Sequence, residues 1–177
     1  MTKFPHVGIP LMPTIHTGSP ESMGLDTAIS MSSYASSAFP SANRAYYYPF
    51  HLDAPILVTK LFWVNGATVS GNVDMGIYSA GFTKIGSSGS AAQSGTNALQ
   101  AVDITDTWIG PGDFYFGIAC DNTTATFFAN NAGVPLLQAA GGLMQASAFA
   151  LPANATPITV SNGTVIVCGL RQGGAAL

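Results

Sequence analysis

From about residue 45 onward, the chain is a series of short β-prone runs separated by turn residues roughly every ten positions, and this spacing constrains the fold most. Residues 72–79 show the pattern best, because Val73, Met75 and Ile77 alternate with residues suited to the opposite face of a strand. No segment of ten or more residues has the 3.6-residue periodicity of an amphipathic helix. The sequence therefore predicts an all-β protein built as a sandwich or barrel.

Turn and breaker residues predict how these runs connect. Residues 45–52 contain Pro49, which has no amide donor for a sheet ladder, and are interpreted as an edge strand. Asn65-Gly66 and Asn162-Gly163 each follow an apolar run and are type I′ hairpin signals, although the residues after Gly66 also allow a longer connection. The Ala-rich and Gly-rich stretch 136–149 is interpreted as a helical turn or a loop that covers the sheet.

Residues 1–44 lack this periodicity and contain prolines at a density that prevents a regular helix or a central strand. They nevertheless carry more apolar side chains than a disordered tail needs. We interpret residues 1–44 as an extended arm that lies on a surface and residues 45–177 as the sandwich. That surface is the chain's own sheet, a sister subunit or a larger particle. The candidate assembly contacts in the arm are Phe4, Ile9, Leu11, Met12 and Ile15.

Charged residues make up only 7% of the chain, against roughly 25% in an average soluble domain. Most of the exterior must therefore be covered by small and uncharged polar residues. A weakly charged surface lacks the electrostatic repulsion that keeps isolated molecules apart. This composition therefore favours a protein that is part of an oligomer or is bound to a partner. With five Lys and Arg and a net charge of −3, the chain has no basic stripe for nucleic acid.

Cys120 and Cys168 lie in two apolar, strand-like runs. The simpler interpretation is two buried free thiols, because a disulfide would require neighbouring strands in a suitable register. No run approaches the roughly 18 apolar residues of a membrane helix, so no membrane span is expected.

Candidate catalytic and metal motifs lack the context that their chemistry requires. The glycines and serines of residues 86–90 lie in no strand-to-helix turn of the kind that presents a catalytic serine. His51 and Asp53 share a strand face and suit a metal ion, but a third ligand is missing, so such a site would need a trimer axis. We therefore expect a non-enzymatic protein without a cofactor or a metal.

Aromatic residues beside acids are the remaining candidates for recognition. Asp103, Asp106 and Asp113 flank Trp108 in the sequence, which fits either a sugar-binding patch or ordinary turn chemistry, since aspartate caps turns through its side chain. The candidate contacts to a glycan or a partner are Tyr46, Tyr48, Tyr78, Trp108 and Asp106.

Several of these segments together resemble the small jelly-roll proteins of tailed bacteriophage virions. The resemblance depends on YYYPF at 46–50, VTKLFWV at 58–64, GNVDMGIYS at 71–79, and Leu99 followed by GPGDFYFGIA at 110–119. It covers roughly residues 45 to 125 and implies a jelly-roll-like antiparallel β-sandwich that forms a homotrimer around a threefold axis. It also implies a protein that is made in the host cytoplasm and resides in the virion.

The resemblance leaves two functions open. In the first, the chain is a capsid decoration, or cement, protein whose arm binds the major capsid protein or other virion proteins and stabilises the assembled head. No collagen-like or heptad repeat precedes the strands, which favours this function over a tail-fibre tip. In the second, it is a tail fibre or baseplate protein that binds a receptor or a host surface glycan.

Overall fold

The fold is described by a computed structural model covering residues 21–23, 34–130 and 134–173. Of the described residues, 57% are in strands and 4% in helix, and the antiparallel sheets pack on one another, which confirms the predicted all-β sandwich. The helix is α1, Val134–Ala139. Within these ranges, no helical segment has the length and apolar character of a membrane span. The strands are β1 Glu21–Met23, β2 Tyr34–Ala38, β3 Arg44–Leu52, β4 Ile56–Val64, β5 Asn72–Ser79, β6 Lys84–Ser87, β7 Ala91–Ala92, β8 Leu99–Ile109, β9 Gly112–Cys120, β10 Thr126–Asn130, β11 Leu143–Gln145, β12 Ile158–Thr159, β13 Val165–Ile166 and β14 Cys168–Gln172.

Three sheets form the body. The large sheet has seven strands in the order β12-β11-β3-β9-β5-β6, with β7 also pairing with β5. A four-stranded sheet has the order β1-β14-β4-β8, and a three-stranded sheet has the order β13-β10-β2. β3 lies in the large sheet, β4 in the four-stranded sheet and β5 in the large sheet again. The chain therefore crosses between layers at these two successive connections.

The main core lies between the layers and follows the two-residue period of the strands. On β3 the inward side chains are Tyr46, Tyr48, Phe50 and Leu52, and they pack with those of the neighbouring strands. The Phe50 and Phe116 rings stack with centroids 4.1 Å apart. Fully burying an aromatic side chain of this kind stabilises a fold by about 1.5–3 kcal/mol.

The interpretation of β3 as an edge strand is wrong. β3 lies between β9 and β11 in the large sheet. However, β11 pairs only with Ala45, Tyr46 and Tyr47, so Pro49 lies beyond the stretch that has strands on both sides. A proline is tolerated here because its missing amide interrupts no ladder on that side.

Neither predicted Asn-Gly hairpin forms. The strands on either side of Asn65-Gly66 belong to different sheets, so the longer connection is the one that forms. Asn65 is fully buried, and its Oδ1 accepts a hydrogen bond of 2.9 Å from Trp63 Nε1. The strands on either side of Asn162-Gly163 do not pair with each other either, because β12 pairs with β11 and β13 pairs with β10. At Asn162 the Oδ1 accepts instead from the Tyr46 hydroxyl at 3.2 Å.

A second, smaller core lies on the outer face of the large sheet. Its buried members are Ala45, Tyr47, Tyr78, Ala119, Ala148, Leu151 and Ala155. Residues 148–155, here called the strap, cover this face. We expected residues 136–149 to hold a helical turn or a covering loop, and α1 and the start of the strap agree with this expectation.

Three side chains of the large sheet bind the strap backbone. Asp74 Oδ2 accepts from the Leu151 amide at 2.9 Å, Lys84 Nζ donates to the Leu151 carbonyl at 2.7 Å, and the Tyr78 hydroxyl donates to the Pro152 carbonyl at 2.7 Å. These bonds satisfy backbone groups that would otherwise be buried without partners.

The boundary predicted at residue 44 differs from the structure. β2 pairs with β10, and the Phe39 side chain is 1% exposed and contacts the rings of Tyr46 and Phe127. Residues 34–43 therefore belong to the folded body. The predicted arm contacts Phe4, Ile9, Leu11, Met12 and Ile15 lie outside the described residues.

Candidate functional site

Three of the predicted glycan contacts are buried. Tyr46, Tyr48 and Tyr78 are 0%, 5% and 0% exposed, and burial raises the pKa of all three hydroxyls. Tyr46 and Tyr48 point into the main core, where the Tyr48 hydroxyl donates to the Thr164 carbonyl at 2.7 Å. Tyr78 lies on the outer face, but the strap covers it. The prediction that these three residues contact a glycan is therefore wrong.

Trp108 is exposed, as a contact residue requires, with 69% of its surface accessible. It lies near the end of β8, and since the adjacent Ile109 is buried in the core, Trp108 faces outward from the four-stranded sheet. Asp106 is exposed and lies where the β4–β8 register shifts. Asp103 forms an ion pair of 2.6 Å with Lys60.

Asp113 does not join this group, because it lies on β9 in the large sheet opposite His51 of β3. Asp113 Oδ1 is 2.6 Å from His51 Nδ1, and Asp53 Oδ1 is 3.5 Å from His51 Nε2. Both ring nitrogens of this imidazole therefore face carboxylates. Within the described ranges, however, no group of three or more His, Cys, Asp or Glu residues is placed to hold a metal ion.

Next to Asp113 on the same face of the large sheet is Tyr115, and the Phe82 ring lies against it. The two ring centroids are 4.7 Å apart with an interplanar angle of 35°, and both side chains are half-buried. Partial burial raises the pKa of the Tyr115 hydroxyl, and the negative charge of Asp113 raises it further. Phe82, Tyr115, Asp113, His51 and Asp53 thus form one surface of aromatic and acidic groups, here called the strip.

The local fold places Phe82 by an uncommon backbone conformation. Phe82 lies in the hairpin between β5 and β6, where its amide donates to the Ser79 carbonyl at 2.9 Å. Its φ is +62°, in the left-handed region that bulky residues rarely adopt. A conformation of this kind costs on the order of 1 kcal/mol, so the surrounding structure must hold it.

Sequence reasoning found only part of the strip. His51 and Asp53 were candidate metal ligands, and Asp113 was assigned to a patch around Trp108. The sequence does not single out Phe82 and Tyr115, because only the register of β5 and β9 and the fold of the β5–β6 hairpin bring them together. A phenylalanine directly after Ala80-Gly81, at the end of a turn, was the available signal.

Neither cysteine contributes a reactive group. Cys120 and Cys168 are both free and buried, in the large and the four-stranded sheet respectively, as the simpler interpretation expected. Burial raises the pKa of the Cys120 thiol to about 11 and that of the Cys168 thiol to about 12. Both groups are thus protonated near neutral pH, and a thiol is a far weaker nucleophile than a thiolate.

Comparisons with known proteins add no identity: no protein-family model matches the chain, and neither the curated proteins nor the solved structures contain a match.

Proposed function

We propose that this chain is a non-enzymatic structural protein of a bacteriophage virion, a trimeric decoration protein that binds and stabilises the assembled head. The supporting observation is a β-sandwich with very little charge, since 177 residues include only five Lys and Arg and eight Asp and Glu. Such a surface suits a subunit of a permanent assembly better than an isolated molecule in solution.

The apolar side chains of residues 1–20 supply the attachment in this proposal. A segment that binds only the assembled head shifts the equilibrium toward the assembled state, and stabilisation grows with the occupancy of the site. The sandwich then provides a rigid body that covers the neighbouring capsid surface. The major capsid protein is the proposed partner.

The test uses heads that lack the protein and a variant without residues 1–20, which retains β1, β2 and Phe39. The full chain is expected to co-sediment with heads and to raise their disruption temperature. The shortened chain should fold, as circular dichroism would show, and fail to co-sediment. Equal attachment of both chains contradicts the role of the arm, and no attachment of the full chain contradicts the decoration function. Light scattering at micromolar concentration checks the trimer, and a monomer there overturns that part.

A second candidate function is attachment to the host surface through a tail fibre or baseplate. Two observations favour it: the exposed Trp108, two positions from Asp106 in the sequence, and the half-buried rings beside acids in the strip on the other layer. Exposed aromatic rings with polar neighbours are common where proteins bind ligands. Binding of the isolated protein to polysaccharides from host surfaces is the test, and a uniformly negative result removes this candidate.

A further inference from the structure

The geometry points to the strip on the large sheet as a saccharide-binding site, with the Phe82 and Tyr115 rings as its platform and Asp113 and Asp53 as its hydrogen-bond acceptors. This inference rests on the second candidate function and gives it a location. It differs from the sequence prediction, which placed the glycan contacts on Trp108, Asp106 and three tyrosines.

The platform consists of two rings held at a defined angle. The Phe82 and Tyr115 centroids are 4.7 Å apart at 35°, and Tyr47 supports the Phe82 ring from beneath at 6.2 Å with an interplanar angle of 79°. Tyr47 is fully buried and its hydroxyl donates to Gln145 Oε1 at 3.3 Å. A partly buried ring on a fully buried, hydrogen-bonded ring keeps its orientation, and a fixed apolar ring suits the C–H face of a pyranose.

The backbone at Phe82 argues that its ring has a use beyond packing. Glycine or asparagine would adopt the same φ of +62° at lower cost. The chain instead places a large apolar group in the hairpin, where its ring is only partly buried. Backbone strain of this kind is concentrated at binding and catalytic positions.

The polar groups of the strip mostly accept hydrogen bonds, so a ligand must donate them. No lysine or arginine of the described chain is within ion-pair distance of Asp53 or Asp113, and among the described residues it is His51 that lies within ion-pair distance of both carboxylates. One carboxylate offers about four lone-pair positions, and the imidazole occupies one of those on Asp113. Sugar hydroxyls can use the remaining positions.

A basic peptide would also donate hydrogen bonds, but the strip suits it less. His51 Nδ1 already lies 2.6 Å from Asp113 Oδ1, so a lysine would share this carboxylate with the imidazole. A hydroxyl group needs no free charge and leaves this contact intact. The tilted ring pair adds apolar area that a single ammonium group would not cover.

The experiment titrates soluble neutral oligosaccharides of hexoses and N-acetylhexosamines into the full chain by calorimetry. The critical variant is Phe82→Asn, which keeps a residue suited to the left-handed conformation and removes the ring. The control is Ile158→Asn, which removes an exposed apolar side chain at the far edge of the same sheet. Urea unfolding of each variant checks that the fold is retained.

We expect Phe82→Asn to weaken binding at least tenfold and Ile158→Asn to leave it unchanged. If Phe82→Asn binds like the wild type and Trp108→Ala loses binding, the saccharide site lies on the four-stranded sheet. In that case the inference about the strip fails, but the second candidate function stands. If the wild type binds none of the oligosaccharides, that function fails as well. An oligolysine probe tests the alternative ligand. If this probe binds, if its binding is lost in Phe82→Asn and in 1 M salt, and if no saccharide binds, the strip is a site for a cationic peptide and the saccharide class is overturned.

Discussion

Gly117 occupies the position in the second core that leaves least room for an added atom, and its replacement by alanine is a sharp test of that packing. Gly117 lies on β9, opposite Tyr47 on one neighbouring strand and Gly76 on the other. A Cβ there would lie 2.8 Å from Tyr78 Cε2 and 3.1 Å from Tyr47 Cε1. The two rings are fully buried and meet edge to face at 5.3 Å.

Neither ring can move away freely. The Tyr78 hydroxyl donates to the Pro152 carbonyl at 2.7 Å, and the Tyr47 hydroxyl donates to Gln145 Oε1 at 3.3 Å. Overpacking of a filled core costs about 1–3 kcal/mol. Replacing glycine by alanine also restricts the unfolded chain, which offsets about 0.4–1 kcal/mol. We therefore expect Gly117→Ala to lower the free energy of unfolding by about 1–2 kcal/mol.

Urea unfolding followed by near-ultraviolet circular dichroism of the tyrosines measures this change, because the mutated site lies between two of them. Gly81→Ala is the matched control, since its nearest neighbour would be Ser79 Oγ at 3.9 Å. The control should be as stable as the wild type or more stable by up to about 1 kcal/mol, because only the effect on the unfolded chain remains. If Gly117→Ala is as stable as Gly81→Ala, the packing around Tyr47 and Tyr78 is looser than described and the reasoning is refuted.

Three further predictions concern buried polar groups. Asn65→Ala leaves the indole N–H of Trp63 without its acceptor, so it should lower the free energy of unfolding by about 1–3 kcal/mol, and an unchanged urea midpoint would contradict the network. Burial raises the pKa of the Asp74 carboxyl above 3.8, although the Leu151 amide and the charge of Lys84 act in the opposite direction. The stability that this group contributes is therefore complete below its unfolded pKa and is lost as pH rises through its folded pKa. Asp74→Asn should flatten that part of the stability curve between pH 3 and 8, and identical curves for both proteins would show that Asp74 is not responsible. Cys120 and Cys168 should resist a thiol reagent at pH 8 until urea unfolds the chain, and rapid labelling of the folded protein would contradict their burial.

Local patterns predicted the positions of the strands well, but they predicted poorly which strands pair and how they connect. The alternation over 72–79 corresponds to β5, with Val73, Met75 and Ile77 in the main core as predicted. The two Asn-Gly signals failed, because their local turn preference was outweighed by packing between layers. Asn65 is the clearer example, since its side chain satisfies the buried Trp63 indole instead of serving an exposed turn.

The tyrosine run shows why exposure was hard to predict. Alternation identifies which residues share a face of β3, but both faces of that strand are covered, one by the opposing sheets and the other by the strap. Tyr46, Tyr47 and Tyr48 are therefore all buried, whereas a strand with one wet face would expose the middle residue. The strap comes from residues more than a hundred positions later in the chain, so the pattern around Tyr47 contains no information about it.

The amino-acid sequence by itself determined the all-β class, the positions of most strands and the weakly charged surface, because strand propensity, two-residue periodicity and composition are local properties of the chain. Only the tertiary structure decided which side chains meet. His51 and Asp113 are 62 positions apart and pair through the β3–β9 register, and Phe82, itself in the left-handed conformation, meets Tyr115 through the β5–β9 register. Register and layer crossing depend on the simultaneous burial of many distant side chains, so no local pattern could specify the strip.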